Sequence, residues 1–279
     1  MKTAIVLEGG GLANAFTCGM LYKWLEAGLR ADGVVAVSTA FIPAAYYRAG
    51  QSEALENLFD EIFNQGDFSP VNRALRALSV GRMEAAVSVQ LPVDMDAFNA
   101  AAEPLYAVYT RADNGDAVCR EVSGCGEWRR LRHFAEAAVA LPVETEPVPL
   151  DERSYFDGAI AESLPVRTAL QEGFEKLLVV RTLPIGTAEG RKHLGAREHI
   201  ALRGYPALKN VWQLSHLYRH QAEQTLERMI FSGRAMVLRP ANDSRAAYGF
   251  TRSAAAEYYL EGLRLADETM EQVARFLEA

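Results

Sequence analysis

The first 50 residues alternate between short apolar runs and a stretch with helical periodicity. Residues 4–7 and 33–37 are apolar runs of strand length, and residues 12–27 between them carry large apolar side chains on one broad face. Two strands joined by a helix within about 30 residues predict a βαβ unit, whose strands are adjacent and parallel. The apolar segment 41–47 then predicts a second helix.

The remainder of the chain continues this alternation. The sequence DNGD at 113–116 is a hairpin turn signal, the three prolines within 142–149 predict a loop, and 187–204 predicts a charged surface loop. Residues 65–90 have the least decisive pattern, which we interpret as a helical cap over the site. The other predicted strands are 105–111, 117–122, 176–182 and 235–238, and the other predicted helices are 52–63, 94–102, 127–140, 208–232 and 253–278.

The chain has no internal repeat, low-complexity tract or convincing linker. Its 279 residues can bury a sizeable core, and 49% hydrophobic with 23% charged residues is typical of globular proteins. Strands that alternate with helices favour an α/β class. We therefore predict a single α/β domain over residues 1–279.

Charge and cysteine content restrict the partners and the compartment. The net charge of −7 and the absence of a basic block argue against nucleic acid as a partner. Cys18, Cys119 and Cys125 form neither a disulfide framework nor a CxxC pair, which favours a reducing compartment. The apolar run at the N-terminus is too short for a signal peptide, and no segment approaches 18 apolar residues. We expect a cytoplasmic protein.

Two candidate features follow neighbouring strands of the predicted βαβ unit. Gly9, Gly10 and Gly11 come directly after the first strand, and Ser38 follows the second. Open α/β sheets bind ligands at this carboxyl edge. Ser38 also has the strand–turn–helix context of a nucleophile elbow, although alanines occupy the two flanking positions where G-x-S-x-G has glycines.

A nucleophilic serine needs a base, and a carboxylate fits this chain better than a histidine. The five histidines lie in charged loops or on predicted helix faces, and none is near the C-terminus, where an α/β-hydrolase places its histidine. Asp157 is the best-placed acid, because it follows an apolar pair and precedes Gly158. The other interpretation of this Asp-Gly pair is an ordinary turn.

Three sequence blocks resemble the signature blocks of the patatin-like phospholipases. They are LEGGGLANAFTCGMLYKWLEAGL, DGVVAVSTAFIPAAYYRAGQ, and ALPV followed by YFDGAIAESLPV. The resemblance continues through LLVVRTLP and GRAMVLRP, and so covers nearly the whole chain in order and spacing. It implies a three-layer fold with a mostly parallel central sheet and helices on both faces.

The resemblance also implies a mechanism and a substrate class. Ser38 would be the acyl-accepting nucleophile and Asp157 its base, so their side-chain oxygens should lie within about 3.5 Å. The backbone of Gly9–Gly11, with Thr39, would form the oxyanion hole. The implied activity is hydrolysis of phospholipids or other acyl esters without calcium, any other metal or a cofactor. Transient contact with a membrane surface is left open.

The chain departs from the family pattern at the glycine loop. The family has GGG-x-Arg/Lys-Gly, whereas Ala13 and Asn14 occupy the last two positions here. Arg48 and Arg181 are candidates to replace the missing cation in space. These departures motivate an alternative, a catalytically impaired patatin-fold protein that binds a lipid or protein partner.

Three further interpretations compete with a hydrolase. GGGLAN with Asp32 resembles a dinucleotide-binding fingerprint, but Asp32 precedes the second strand instead of following it. An acyltransferase built on the same elbow would require a histidine base and an arginine, and no suitable pairing is visible. Ser38 also has the residue type of an ordinary helix N-cap.

Overall fold

The computed structural model describes residues 1–64, 91–187, 194–244 and 251–279. The interpretation of 65–90 as a cap lies outside these residues. The strands are β1 (Thr3–Leu7), β2 (Gly33–Val37), β3 (Leu105–Arg111), β4 (Ala117–Glu121), β5 (Val148–Leu150), β6 (Arg153–Asp157), β7 (Lys176–Val180) and β8 (Ala235–Leu238). The helices are α1 (Asn14–Glu26), α2 (Phe41–Ala49), α3 (Ser52–Asn64), α4 (Met95–Ala100), α5 (Trp128–Ala138), α6 (Ala159–Glu162), α7 (Val166–Gln171), α8 (Ala196–Ala201), α9 (Pro206–Phe231) and α10 (Arg252–Glu278). Short 3₁₀ turns, Gly11–Ala13 and Ser38–Ala40, precede α1 and α2.

A mixed sheet forms the centre of the described structure, in the order β5-β6-β3-β2-β1-β7-β8, with β4 also paired to β3. β3, β2, β1, β7 and β8 are parallel neighbours. β4 and β6 run antiparallel to β3, and β5 runs antiparallel to β6. The predicted fold class, an α/β fold with a mostly parallel central sheet flanked by helices, is confirmed.

The three central parallel strands, β2, β1 and β7, are buried on both faces. In β1, Ile5 and Leu7 belong to a core cluster shared with α1, α2 and α10, whereas Ala4 and Val6 belong to a second cluster shared with α7 and α9. All five residues of this strand are buried. Burial on both faces explains why the sequence of β1 is a continuous apolar run without polar alternation.

The register along β3 brings two other strands end to end. Val37, the last residue of β2, pairs with Val108, and Asp157, the last residue of β6, pairs with the next residue, Tyr109. β4 pairs with β3 over the same stretch and so occupies the opposite edge. The carboxyl ends of β2 and β6 therefore meet on one edge of β3, which places Ser38 beside Asp157.

Several short elements were not predicted. β5 has only three residues and contains Pro149, which lacks an N–H group and is tolerated because β5 is the outermost strand. The prolines concealed both β5 and its partner β6. The prediction of 187–204 as a loop is wrong over Ala196–Ala201, where one helical turn and a half forms; six residues are too few for periodicity to reveal a helix.

Two glycines allow α10 to pack closely against α1. A Cβ at Gly19 of α1 would collide with the Tyr259 carbonyl oxygen, and one at Gly262 of α10 would collide with the Phe16 carbonyl oxygen. The glycine loop leads directly into α1. This helix crossing therefore fixes the element that follows the loop.

We expect Gly262→Ala to destabilise the protein. The added methyl group meets backbone, which cannot rotate away, so overpacking should outweigh the roughly 1 kcal/mol by which alanine favours a helix. Urea unfolding should show a net loss of about 1 kcal/mol or more. Gly124→Ala is the control, because a Cβ there has no heavy atom within 4 Å. Equal stability of both variants would contradict the close packing.

Candidate active site

Ser38 lies at a strained turn between β2 and α2. Val37 has extended angles, with φ −133°, and Ser38 then adopts φ +59° before the helical residues begin. A non-glycine residue in this left-handed region is uncommon and costs about 1–3 kcal/mol, which contacts with the surrounding structure must offset. The turn has the strand–turn–helix geometry that a nucleophile elbow requires, and the Ser38 hydroxyl reaches Asp157 at the end of β6. Ser38 is 7% exposed.

The Ser38 hydroxyl donates a hydrogen bond to Asp157 Oδ2 at 2.6 Å. This distance is inside the limit of about 3.5 Å expected for a nucleophile and its base. The second carboxylate oxygen, Oδ1, accepts from the Ala159 N–H at 2.8 Å. Asp157 is 3% exposed, so both oxygens are held in a largely dry environment. The carboxylate can accept a proton directly from the hydroxyl.

The backbone of Asp157 is fixed on both sides. Its N–H donates to the Ala140 carbonyl oxygen at 2.7 Å, and its own carbonyl oxygen accepts from the Thr110 hydroxyl at 2.9 Å. A side chain at Gly158 would collide with the Val108 carbonyl. The glycine in the Asp-Gly pair is therefore required for the chain to leave β6 against β3. Thr110 was missed from sequence, because its position under Asp157 depends on β6.

The described histidines with polar contacts are engaged elsewhere. His133 bonds to Glu136 and to the Pro149 carbonyl oxygen, His216 contacts the Gln213 carbonyl oxygen, and His220 bonds to Gln224 on the same helix. All three lie on helix faces, as predicted, while His193 lies outside the described residues. The contact between Ser38 and Asp157 is direct.

The backbone N–H groups of the three loop glycines differ in whether they have a hydrogen-bond partner. The Gly9 N–H donates to the Ser163 carbonyl oxygen at 3.1 Å, and the Gly10 N–H lies 3.0 Å from the side-chain oxygen of Asn14. Gly11 has φ +58°, and its N–H has no hydrogen-bond partner among the described residues. Of the loop's N–H groups, the one at Gly11 is therefore available for a ligand.

Asn14 ties the glycine loop to the turn that carries Ser38. With its amide oriented so that the oxygen faces the Gly10 N–H, this oxygen accepts from Gly10 and from the Thr39 hydroxyl at 2.7 Å, and the amide nitrogen donates to Glu8 O and Thr17 Oγ1. The backbone of Asn14 has φ −69°, which any residue adopts. The side chain, which is fully buried, thus explains an asparagine where the family pattern has glycine.

Neither arginine suggested by the sequence replaces a cation at position 13. The Arg48 guanidinium donates to the carbonyl oxygens of Phe98 and Ala101 and stacks over the Phe98 ring. Arg181 forms an ion pair at 2.9 Å with Glu8, the residue that precedes the loop. Its charge is therefore engaged with a buried carboxylate.

Glu8 anchors the base of the glycine loop and was not singled out from sequence. The residue is fully buried, and its carboxylate pairs with both Arg181 and Arg219. The Thr182 N–H also donates to Glu8 Oε2, at 2.7 Å. Its partners lie more than 170 positions away along the chain, so no local pattern could indicate them.

The position of Asp32 does not fit a dinucleotide site. Its carboxylate accepts from the Thr3 N–H at 2.7 Å, at the amino end of β1, whereas the glycine loop follows the carboxyl end of the same strand. A ribose contact would need both features at one edge of the sheet.

We expect Asn14→Ala to lower stability by about 1–3 kcal/mol, because several buried polar groups lose their partner. Chemical denaturation measures the change. Asn57→Ala is the matched control: the side-chain amide of this half-buried asparagine donates to Glu53 O one helical turn away, in a hydrogen bond exposed to solvent, and its loss should cost under about 0.5 kcal/mol. Similar losses in the two variants would contradict the bridging role.

Removing Glu8 should be more damaging still. Glu8→Ala leaves the Arg181 and Arg219 charges without their buried carboxylate, and breaking such a pair costs about 3–5 kcal/mol. Asp267→Ala removes the acid of an exposed pair with Lys23 and should cost less than about 1 kcal/mol. Thermal or urea unfolding compares them, and equal losses would count against the anchoring role.

Comparisons with known proteins point to one family. A family model described as patatin-like phospholipase matches residues 5–170. The uncharacterized protein YjjU of Escherichia coli (strain K12) is 25% identical over 206 residues, which cover 66% of this chain and 52% of that protein. The chain thus spans about half the length of this curated relative. No helix in the described part of the chain is both long and apolar enough to cross a membrane.

Proposed function

Because the chain belongs to the patatin-like phospholipase family, we propose that it is a serine lipid acyl hydrolase or esterase that acts through Ser38 and Asp157. The observation that carries this proposal is the 2.6 Å hydrogen bond from the Ser38 hydroxyl to Asp157 Oδ2, formed at a turn with φ +59°. An ordinary helix N-cap would explain neither the strained turn nor the buried carboxylate partner.

The proposed reaction begins with proton transfer. Asp157 Oδ2 takes the proton as Ser38 Oγ attacks the carbonyl carbon of the ester, and a tetrahedral intermediate forms. Its collapse breaks the bond to the alcohol oxygen, which receives the proton from Asp157, and the acyl group remains on Ser38. Water then attacks the acyl-serine and gives a proton to Asp157. The bond from the acyl carbon to Ser38 Oγ breaks, Asp157 returns the proton to Ser38, and the carboxylic acid leaves.

The proposed oxyanion hole lies between the glycine loop and the elbow. The Gly11 N–H, which has no partner among the described residues, and the backbone N–H of Thr39 are the proposed donors. The N–H groups of Gly9 and Gly10 already have partners, so these two residues would shape the loop that presents Gly11. Asn14 would hold the two donors at a fixed separation.

The proposal extends to substrate and location. The family supports a lipid substrate, and we propose a phospholipid or another acyl ester, met in the cytoplasm at transient contacts with a membrane surface. The three cysteines are free thiols, which suits a reducing compartment. A single domain over residues 1–279 remains our prediction.

The test combines covalent labelling with kinetics. A fluorophosphonate probe should label wild type at Ser38, located by mass mapping, and p-nitrophenyl ester turnover should be measurable. Ser38→Ala should abolish labelling, and both Ser38→Ala and Asp157→Asn should lower kcat/KM by about 1,000-fold or more. Ser253→Ala and Asp267→Asn, at exposed positions, are matched controls that should retain wild-type activity.

Two results would contradict the hydrolase. One is the absence of labelling together with turnover no higher than that of Ser38→Ala, which would favour the catalytically impaired alternative. The other is an Asp157→Asn variant as active as Asp267→Asn, which would exclude Asp157 as the base.

A further inference from the structure

Two arginines follow neighbouring strands at the carboxyl edge of the sheet, away from Ser38. Arg181 comes directly after β7 and Arg239 directly after β8. Val180 pairs with Leu238 in the parallel register, and the Arg181 N–H donates to the Leu238 carbonyl oxygen at 2.8 Å. The two arginines are thus the next register pair, and their side chains leave the sheet on the same face.

A polar cavity of about 290 Å³ lies between this face and α9. Arg181 and Arg239 both line it, together with Thr187 from the chain after β7 and Glu223 from α9. The volume is sufficient for a small anionic group.

Among the described residues, one of the cations around the cavity is not part of an ion pair. Arg181 is 2.9 Å from Glu8 and 3.0 Å from Glu223, and Arg219 pairs with the same two carboxylates. Two cations are therefore balanced by two acids. Arg239 is the third cation, and its guanidinium has no hydrogen bond or ion pair with any residue in the described part of the chain.

The environment of Arg239 disfavours a bare charge. Burial lowers the pKa of its guanidinium, and the neighbouring charge of Arg181 lowers it further, which outweighs the opposite effect of Glu8 and Glu223. Glu227 also lines the cavity, but it is exposed and forms no ion pair with Arg239. A half-buried guanidinium with free donors is a suitable partner for a planar or tetrahedral oxyanion, which it can bind through two hydrogen bonds.

We propose that this cavity is a binding site for a phosphate-type oxyanion, held by Arg239 and oriented by Arg181. β1 and β7 separate β8 from β2 in the sheet, so Arg239 lies roughly 14 Å from Ser38, or three strand spacings. The site is therefore separate from the proposed hydrolase site. The phosphate is either free or part of a lipid head group.

The first test is titration with inorganic phosphate. At constant ionic strength, set with sodium chloride, orthophosphate should bind wild type saturably in calorimetry and raise its Tm. Arg239→Gln should weaken binding about tenfold or more. Arg275→Gln is the matched control, since it removes the same charge from an exposed position on α10 and should leave the affinity within about twofold.

Arg239→Lys separates charge from geometry and should bind with intermediate affinity, because lysine keeps the charge but loses the bidentate donors. The Tm of each variant in chloride alone verifies folding. The absence of a saturable phosphate effect in wild type would overturn the site, whatever the variants do. Equal loss of affinity in Arg239→Gln and Arg275→Gln would overturn it as well.

Vesicles distinguish the two sources of phosphate. Co-sedimentation measures binding of the protein to phosphatidylcholine vesicles with and without phosphatidic acid. All proteins in this assay also carry Ser38→Ala, so that no hydrolysis alters the lipid. Arg239-dependent binding that requires phosphatidic acid supports a head-group ligand. Arg239-dependent binding of orthophosphate without such vesicle binding supports a free phosphate. Neither result depends on the proposed esterase activity.

Discussion

At any point along its length, a β-strand can pair with only one neighbour on each edge. This limit on the pairing of β3 determines where the candidate site lies. β4 occupies one edge of β3, so β2 and β6 share the other and must end where they meet, at Val108 and Tyr109. Backbone hydrogen bonds of the sheet thus set the separation of Ser38 and Asp157, which are 119 positions apart in sequence. The hydrogen bond between these two side chains therefore requires little additional ordering of either side chain.

The central part of this arrangement was predictable from sequence. Gly33–Val37 and Leu105–Arg111 form strands with the predicted bounds, because uninterrupted apolar or alternating runs between turn signals have few other solutions. Ser38 followed from its strand–turn–helix context. Asp157 followed from the Asp-Gly pair and from the family resemblance, without knowledge of the strand that carries it.

The rest of the fold and of the candidate site depends on contacts between distant residues, which a local sequence pattern does not encode. β6 was hidden by the adjacent proline-rich segment, and with it the reason for Gly158. The carboxylate of Glu8 reaches Arg181 and Arg219 only through the fold, so a buried acid inside a glycine motif gave no signal of its partners. Asn14 was noticed as a departure from the family pattern, but its role emerged only from its hydrogen bonds.

The pairing of β1 with β7 also shows that the folded unit extends beyond the region of similarity to the family. The family match ends at residue 170, before β7, yet β7 pairs with every residue of β1, from Thr3 to Leu7. A fragment cut at that boundary would expose a full edge of the strand that carries the glycine loop, and an unpaired apolar edge is prone to aggregate. Expression of the region that carries the candidate site therefore has to extend through β7 and β8 to α10, which packs over α1.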